Sequence, residues 1–495
     1  MKIKELSKKE ILILSSISTV LLLFFFYSAA KKNMHNKAIE SLSLLPANFD
    51  KFADENFLSE INELKENPNI SIFKLSDINH KMANLDSGIG VYDYEDNYSK
   101  VYVFTENNKG QKLEQIDGYI SAQLVVLDTD NKRITNDEVG KIKVRGNSTA
   151  DSQKKPYNIK FSKKQDLFDF GSAKKWCLLS ESFDPTMLRN KVTLNLAKEM
   201  NMEYTPESEF VMLYMDGVYS GCYLLCEKIE ADKSRVDIDP DKGDFLIELD
   251  IEREETDEVY FISESGWRFK IHDPEITNKE VYDKLGERIN HYDEIINSDD
   301  YKLLEKNVDL DSFAKMYLIN EFVKTIDFDF SSVFFYEKNG KLYAGPVWDF
   351  DLSSGNYSIS NYSSFWVGED HKEKKELSIT YEQLFCAERN PIFKKLFDYD
   401  EFDDIVSFLY VTNKDKFKNL YAEGGEIDTL LNKYQPLFDS NYETKENGGA
   451  GWKIDKEYSH LEHDRFPTYE ENLNYFKEWL RNRYNWIKEN AWWVE

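Results

Sequence analysis

DFDFSSVFFYEKNGKLYAGPVWDFD, residues 327–351, holds two apolar runs on either side of Asn339-Gly340. That dipeptide favours the positive φ angles of a tight two-residue turn, and its flanks are rich in β-branched and aromatic residues, so the stretch predicts a β-hairpin. An antiparallel pair turned near residue 339 carries Asp327 and Asp329 into one strand and Asp349 and Asp351 out of its partner, since 327/351 and 329/349 are both centred on 339. Four carboxylates at one end of a hairpin repel one another, and a divalent cation relieves that repulsion. Oxygen donors alone suit a hard ion such as Mg²⁺ rather than zinc. The alternative at this point is a set of turn aspartates capping loops or facing water.

Working outward, apolar residues recur at helical spacing over 281–298, 311–326 and 468–490. Upstream, alternation predicts strands at 101–106, 119–130, 141–148 and 156–161. A helix follows over 187–202, then two strands within 210–229 turned by Asp216-Gly217. The expected class is α+β, with a β-rich part over 91–230 and a mainly helical part over 231–495 that contains the hairpin. Residues 31–90 read as a helical stalk or packing element without chemical signatures.

Sixty-three Lys plus Arg face 91 Asp plus Glu, a net charge of −28, which argues against nucleic acid and anionic membrane surfaces as partners of the bulk surface. A basic or Ser-rich protein suits such a surface better. Of the four cysteines, Cys222 and Cys226 share a predicted strand and lie about 13 Å apart, too far to bridge, so buried free thiols are expected. Ile11 to Ala30 is uncharged and, at about 1.5 Å per residue, long enough for a membrane core of about 30 Å. Residues 1–30 therefore read as a single-pass anchor with the main domain outside the cytoplasm. The rival is a signal peptide cleaved near Ser28-Ala29-Ala30, which makes the protein secreted.

Several ordered blocks go further. Lys143-Val144-Arg145-Gly146-Asn147-Ser148-Thr149, Lys154-Lys155-Pro156-Tyr157-Asn158-Ile159-Lys160-Phe161, Lys175-Trp176-Cys177-Leu178-Leu179, and Asp184 with Leu188-Arg189-Asn190 come first. Tyr219-Ser220-Gly221-Cys222-Tyr223-Leu224, Gly345-Pro346-Val347-Trp348-Asp349-Phe350-Asp351, and Trp479-Leu480 with Arg481, Arg483 and Trp486 follow. In this order they resemble the spore coat protein H (CotH) kinase family from about residue 95 to the end. The resemblance implies a divergent protein-kinase-like, two-lobed fold, with a β-rich N-lobe over a mainly helical C-lobe, no glycine-rich loop, and ATP between the lobes.

It also implies roles. Asp327 stands as the catalytic aspartate, and Asp349, Asp351 and Asp329 as ligands of Mg²⁺ or Mn²⁺, since Asp349-Phe350-Asp351 occupies the place of Asp-Phe-Gly in ordinary kinases. Lys160 resembles the phosphate-binding lysine of the third kinase strand, with Lys155 close behind. Arg145 contacts phosphate or pairs with a carboxylate, Glu227 lies near the adenine at the lobe connection, and Tyr157 and Trp348 stack on the base or fill the core. One departure is Ser332, which stands where an ordinary kinase has a metal-binding Asn five residues after its catalytic Asp. The expected activity is transfer of the ATP γ-phosphoryl group to Ser or Thr of a protein. The alternatives are a non-catalytic surface or protein-binding module and a nucleotidyl transferase.

Overall fold

In the computed structural model, seven strands whose side chains alternate between an apolar interior and a packed or charged exterior close into a barrel. They are β1 (Ser99–Thr105), β2 (Ile120–Leu127), β3 (Val139–Val144), β4 (Tyr157–Asp166), β5 (Ser172–Leu179), β6 (Ser208–Met215) and β7 (Val218–Glu227). Their order is β1-β2-β3-β4-β5-β7-β6, and the parallel pair β1 and β6, with Val101 opposite Leu213, closes the ring. The structure describes parts of 31–78, then 98–494 other than 107–108, 131, 137–138, 217, 251–257, 329–330, 357–358, 363–374, 378–379 and 455–465. Among these residues no helix is long and apolar enough to cross a membrane, and the expected anchor at 11–30 lies outside them.

Period-two alternation explains the two layers of burial. Val101, Val103, Ile142, Val144, Ile159, Phe161, Trp176 and Leu178 point into the barrel and form its own core. Their neighbours Tyr102, Phe104, Cys177 and Leu179 point outward and pack into the larger core shared with the helices. Every residue of β1 is buried for that reason. All four cysteines are free and buried, as their spacing predicted.

The hairpin exists and turns where Asn339-Gly340 placed it: β11 (Val333–Lys338) pairs with β12 (Lys341–Ala344), Lys338 faces Lys341, and both turn residues have positive φ, 53° and 81°. It is not an isolated pair. With β8 (Leu246–Leu249), β9 (Tyr260–Ile262) and β10 (Arg268–Asp273) it builds a second sheet in the order β12-β11-β8-β10-β9. The ladder is also shorter than expected. Gly345 N donates to Phe334 O (2.8 Å), and then Pro346, lacking an N–H, ends the pairing. Asp349 and Asp351 therefore lie on a loop beyond the hairpin.

The main helices are α1 (Arg189–Glu199), α2 (Lys279–Asn297), α3 (Leu310–Val323), α4 (Asp400–Asn419), α5 (Glu426–Tyr442) and α6 (Tyr469–Asn490). Helix α3 carries apolar residues all round and is buried on all sides, with Phe313, Tyr317 and Phe322 among the large enclosed side chains. Helix α6 starts at a capping box in which Thr468 and Glu471 satisfy each other's amides.

Candidate active site

Helix α3 delivers Asp327. It ends at Lys324 in the left-handed conformation (φ 55°), and the chain then turns so that Ile326 N donates to Leu352 O at 3.3 Å. Ser354 N donates to Val323 O at 2.6 Å. These two bonds lay the Asp327 turn against the loop carrying Asp349 and Asp351. Asp349 itself has φ 69°, and its Oδ2 accepts the Ser332 hydroxyl at 3.2 Å. A non-glycine residue held in the left-handed region costs about 1–3 kcal/mol, a strain that concentrates at functional loops.

A buried polar network fixes the same loop from the barrel side. Asn190, near the start of α1, accepts from Phe350 N (2.7 Å) and donates to both carboxylate oxygens of Glu181 (3.2 and 3.0 Å). Asp184 sits at the N-terminus of α1, accepting from Thr186 N (2.9 Å) and Arg189 N (2.8 Å), where the helix dipole favours a carboxylate. The Arg189 guanidinium pairs with Asp184 and donates through Nε to Ser353 O (3.1 Å). Asn356 Nδ2 donates to Asp351 O at 2.6 Å and Phe183 O at 2.8 Å.

Crowding of carboxylates is visible in their proton affinities. Asp351 is held well above the usual range by burial, then by Asp349 and Asp184, with Leu352 N–H and Arg145 opposing. Glu181 is raised too, by burial and then by Asp184 and Asp351, against Asn190 and Lys154. Lys154 is buried and brought down to about 8 by that burial, while Cys222 and Glu181 act in the opposite sense; its Nζ donates to Cys222 O. Lys154, Glu181 and Asn190 were assigned no role from sequence. The signal for them was their position inside the matched blocks or one residue beyond Leu179-Ser180.

The other sequence candidates fall in different surroundings. Arg145 lies over the Trp348 ring (5.5 Å) and acts on Asp351, so both flank the acidic loop. Lys160 is exposed on the outer barrel face, whereas Lys155 pairs with Glu114 (3.0 Å) and donates to Ala150 O (2.9 Å). Glu227 is buried in a pair with Arg235, accepts from Glu207 N (2.9 Å), and is pushed up to about 7 by burial, against Arg235. Tyr157 belongs to the barrel core, packed against Tyr223 at 6.2 Å. Asp329 lies outside the described residues.

The donor set suits a hard divalent ion: oxygen atoms only, with Asp351 buried beside Asp349 so that each charge disfavours the other. Among the described residues no three His, Cys, Asp or Glu side chains gather closely enough to enclose an ion alone, so the expected four-carboxylate cage is not what the described residues form. One or two carboxylates completed by phosphate oxygens and water is the usual manner of Mg²⁺.

Asn190 gives a direct test of the network. Asn190→Leu leaves Phe350 N–H and the Glu181 carboxylate without their partner, and each buried orphan costs about 1–3 kcal/mol. The expected result is a urea midpoint lowered by that amount; an unchanged midpoint would show that the link does not hold the loop.

A barrel, a second sheet and a helical layer thus define an α+β protein that buries an acidic loop beside an aspartate turn and a cationic barrel edge. The model of the family described as CotH kinase protein matches residues 142–487, well over half of the chain, and the chain belongs to that family. No curated protein matches it.

Proposed function

We propose that the chain is a Mg-ATP-dependent protein kinase that transfers the γ-phosphoryl group to a serine or threonine hydroxyl of a protein. The observation that carries this reading is the backbone pairing of the Asp327 turn with the Asp349–Asp351 loop, in a chain of a kinase family. In it the barrel serves as N-lobe, the second sheet and helices as C-lobe, and the nucleotide lies between them against the outer face of β3 to β5.

Asp327 orients the acceptor hydroxyl and takes its proton as the hydroxyl oxygen bonds to the γ-phosphorus and the bond to the ADP oxygen breaks. Asp349 and Asp351 hold the metal, with Mn²⁺ able to replace Mg²⁺; bound there, the ion neutralises charge on the β- and γ-phosphate oxygens. Arg145 and the neighbouring Lys143 and Lys228 face the phosphates, and Lys154 with Glu181 supports the loop from beneath. Residues 11–30 anchor the chain, with this part outside the cytoplasm.

The test is intact mass of the full-length chain and of an added Ser-rich protein after incubation with Mg-ATP, beside an EDTA control. A metal-dependent phosphoryl increment is expected. An AMP increment would replace the reading by nucleotidyl transfer, and no increment on either protein, with Mg²⁺ or Mn²⁺, would favour the non-catalytic module that Ser332 in the Asn position permits.

A further inference from the structure

We propose that the outer face of β3, β4 and β5 docks an acidic segment of the protein substrate, a few residues from the hydroxyl that is phosphorylated; this rests on the kinase reading above. The register carries the idea. Lys141 lies opposite Lys160, and Lys160 opposite Lys175, so three lysines stand in one row across three neighbouring strands. Like charges directly opposite one another destabilise a sheet. Barrel packing forces the arrangement, since Ile142, Ile159, Phe161 and Trp176 fill the interior and leave the lysines outside.

The row is only partly neutralised within the chain. Lys175 pairs with Glu230 at 2.6 Å, whereas Lys141 and Lys160 are exposed and have no ion pair among the described residues. The three strands together hold seven lysines against one carboxylate, Asp166, in a chain whose net charge is −28. The whole-chain charge suggested a basic partner, but the face adjoining the candidate site has the opposite sign.

Continuity with that site selects the occupant. Two residues along β3 from Lys141 stands Lys143, whose ammonium covers the Tyr119 ring at 4.9 Å, and two further stands Arg145 over Trp348 beside Asp351. Arg145, Lys175 and Lys143 all act on Lys228, whose ammonium is disfavoured first by its burial. The cations nearest Asp351 are within reach of nucleotide phosphates, while Lys141 lies about 13 Å from Arg145 along the strand, a span that an extended peptide covers in about four residues. An acidic residue about four to six positions from the acceptor hydroxyl meets the row.

The experiment compares two labelled synthetic peptides with the full-length chain, each containing one serine, one bearing glutamates and the other lysines four to six positions away. Binding is read by fluorescence anisotropy and transfer by kcat/KM. The glutamate peptide is expected to be favoured about tenfold at low salt, from two or three exposed charge pairs, and less as ionic strength rises. The exposed double variant Lys141→Glu/Lys160→Glu should erase the preference and leave the KM for ATP unchanged. Equal or better use of the lysine peptide overturns the proposal, as does a variant that raises only the KM for ATP, which would give the row to the nucleotide. Should neither peptide be phosphorylated while the glutamate peptide still binds through the row, the kinase reading fails and the docking face stands.

Discussion

Asp349→Asn is expected to lower the phosphoryl-transfer rate about a thousandfold, ~4 kcal/mol of transition-state stabilisation, without lowering the unfolding midpoint. The size follows from removing one anionic ligand from an ion that neutralises the developing phosphate charge. Stability is kept for two reasons. Asparagine tolerates the left-handed backbone that Asp349 adopts at φ 69°, and its side chain can still accept the Ser332 hydroxyl. It also removes a charge that disfavours ionised Asp351, second only to burial. Transfer measured over a Mg²⁺ titration, beside urea unfolding, checks both halves; wild-type rates at saturating Mg²⁺ would exclude Asp349 as a ligand.

The choice of asparagine over alanine illustrates what local sequence conveys. Asn339-Gly340 announced its turn because both residues accept positive φ without tertiary help, and the helices at 279–297, 310–323 and 469–490 lie within one or two residues of their predicted spans. Barrel closure was not legible, since the β1–β6 pairing joins segments over a hundred residues apart by geometry alone. Nor were β8 and β9, of four and three residues, too short to show a period. The centring of four aspartates on residue 339 assumed a ladder that Pro346 interrupts; Asp349 nonetheless meets Ser332 because the loop folds back. Lys154, Glu181 and Asn190 come from a strand entry, a loop and a helix start, and only packing unites them. Net charge misled for a similar reason: it averages over a surface on which the strand register segregates the lysines.

Arg483→Leu is expected to destabilise the protein by about 3–5 kcal/mol, the loss that follows when one partner of a buried ion pair is removed and the other charge stays behind. Arg483, from the closing helix α6, and Glu321, from the central helix α3, are both fully enclosed and joined at 2.6 Å. The guanidinium also donates to Tyr381 O (2.7 Å), Gln383 O (2.6 Å) and Glu321 O (2.8 Å), while the carboxylate accepts Phe385 N (2.8 Å) and Cys386 N (2.7 Å). One pair thus clamps the 381–386 segment between two helices. Because α3 runs directly into the Asp327 turn, loosening the clamp is expected to reduce transfer as well as stability. The double variant Glu321→Leu/Arg483→Leu removes the stranded charge but orphans the two amides, each worth about 1–3 kcal/mol, so it should fall between Arg483→Leu and wild type. Urea midpoints of the three proteins decide. If the double variant is the least stable, the amide bonds outweigh the buried charge; if Arg483→Leu unfolds with wild type, the pair does not hold the helices together.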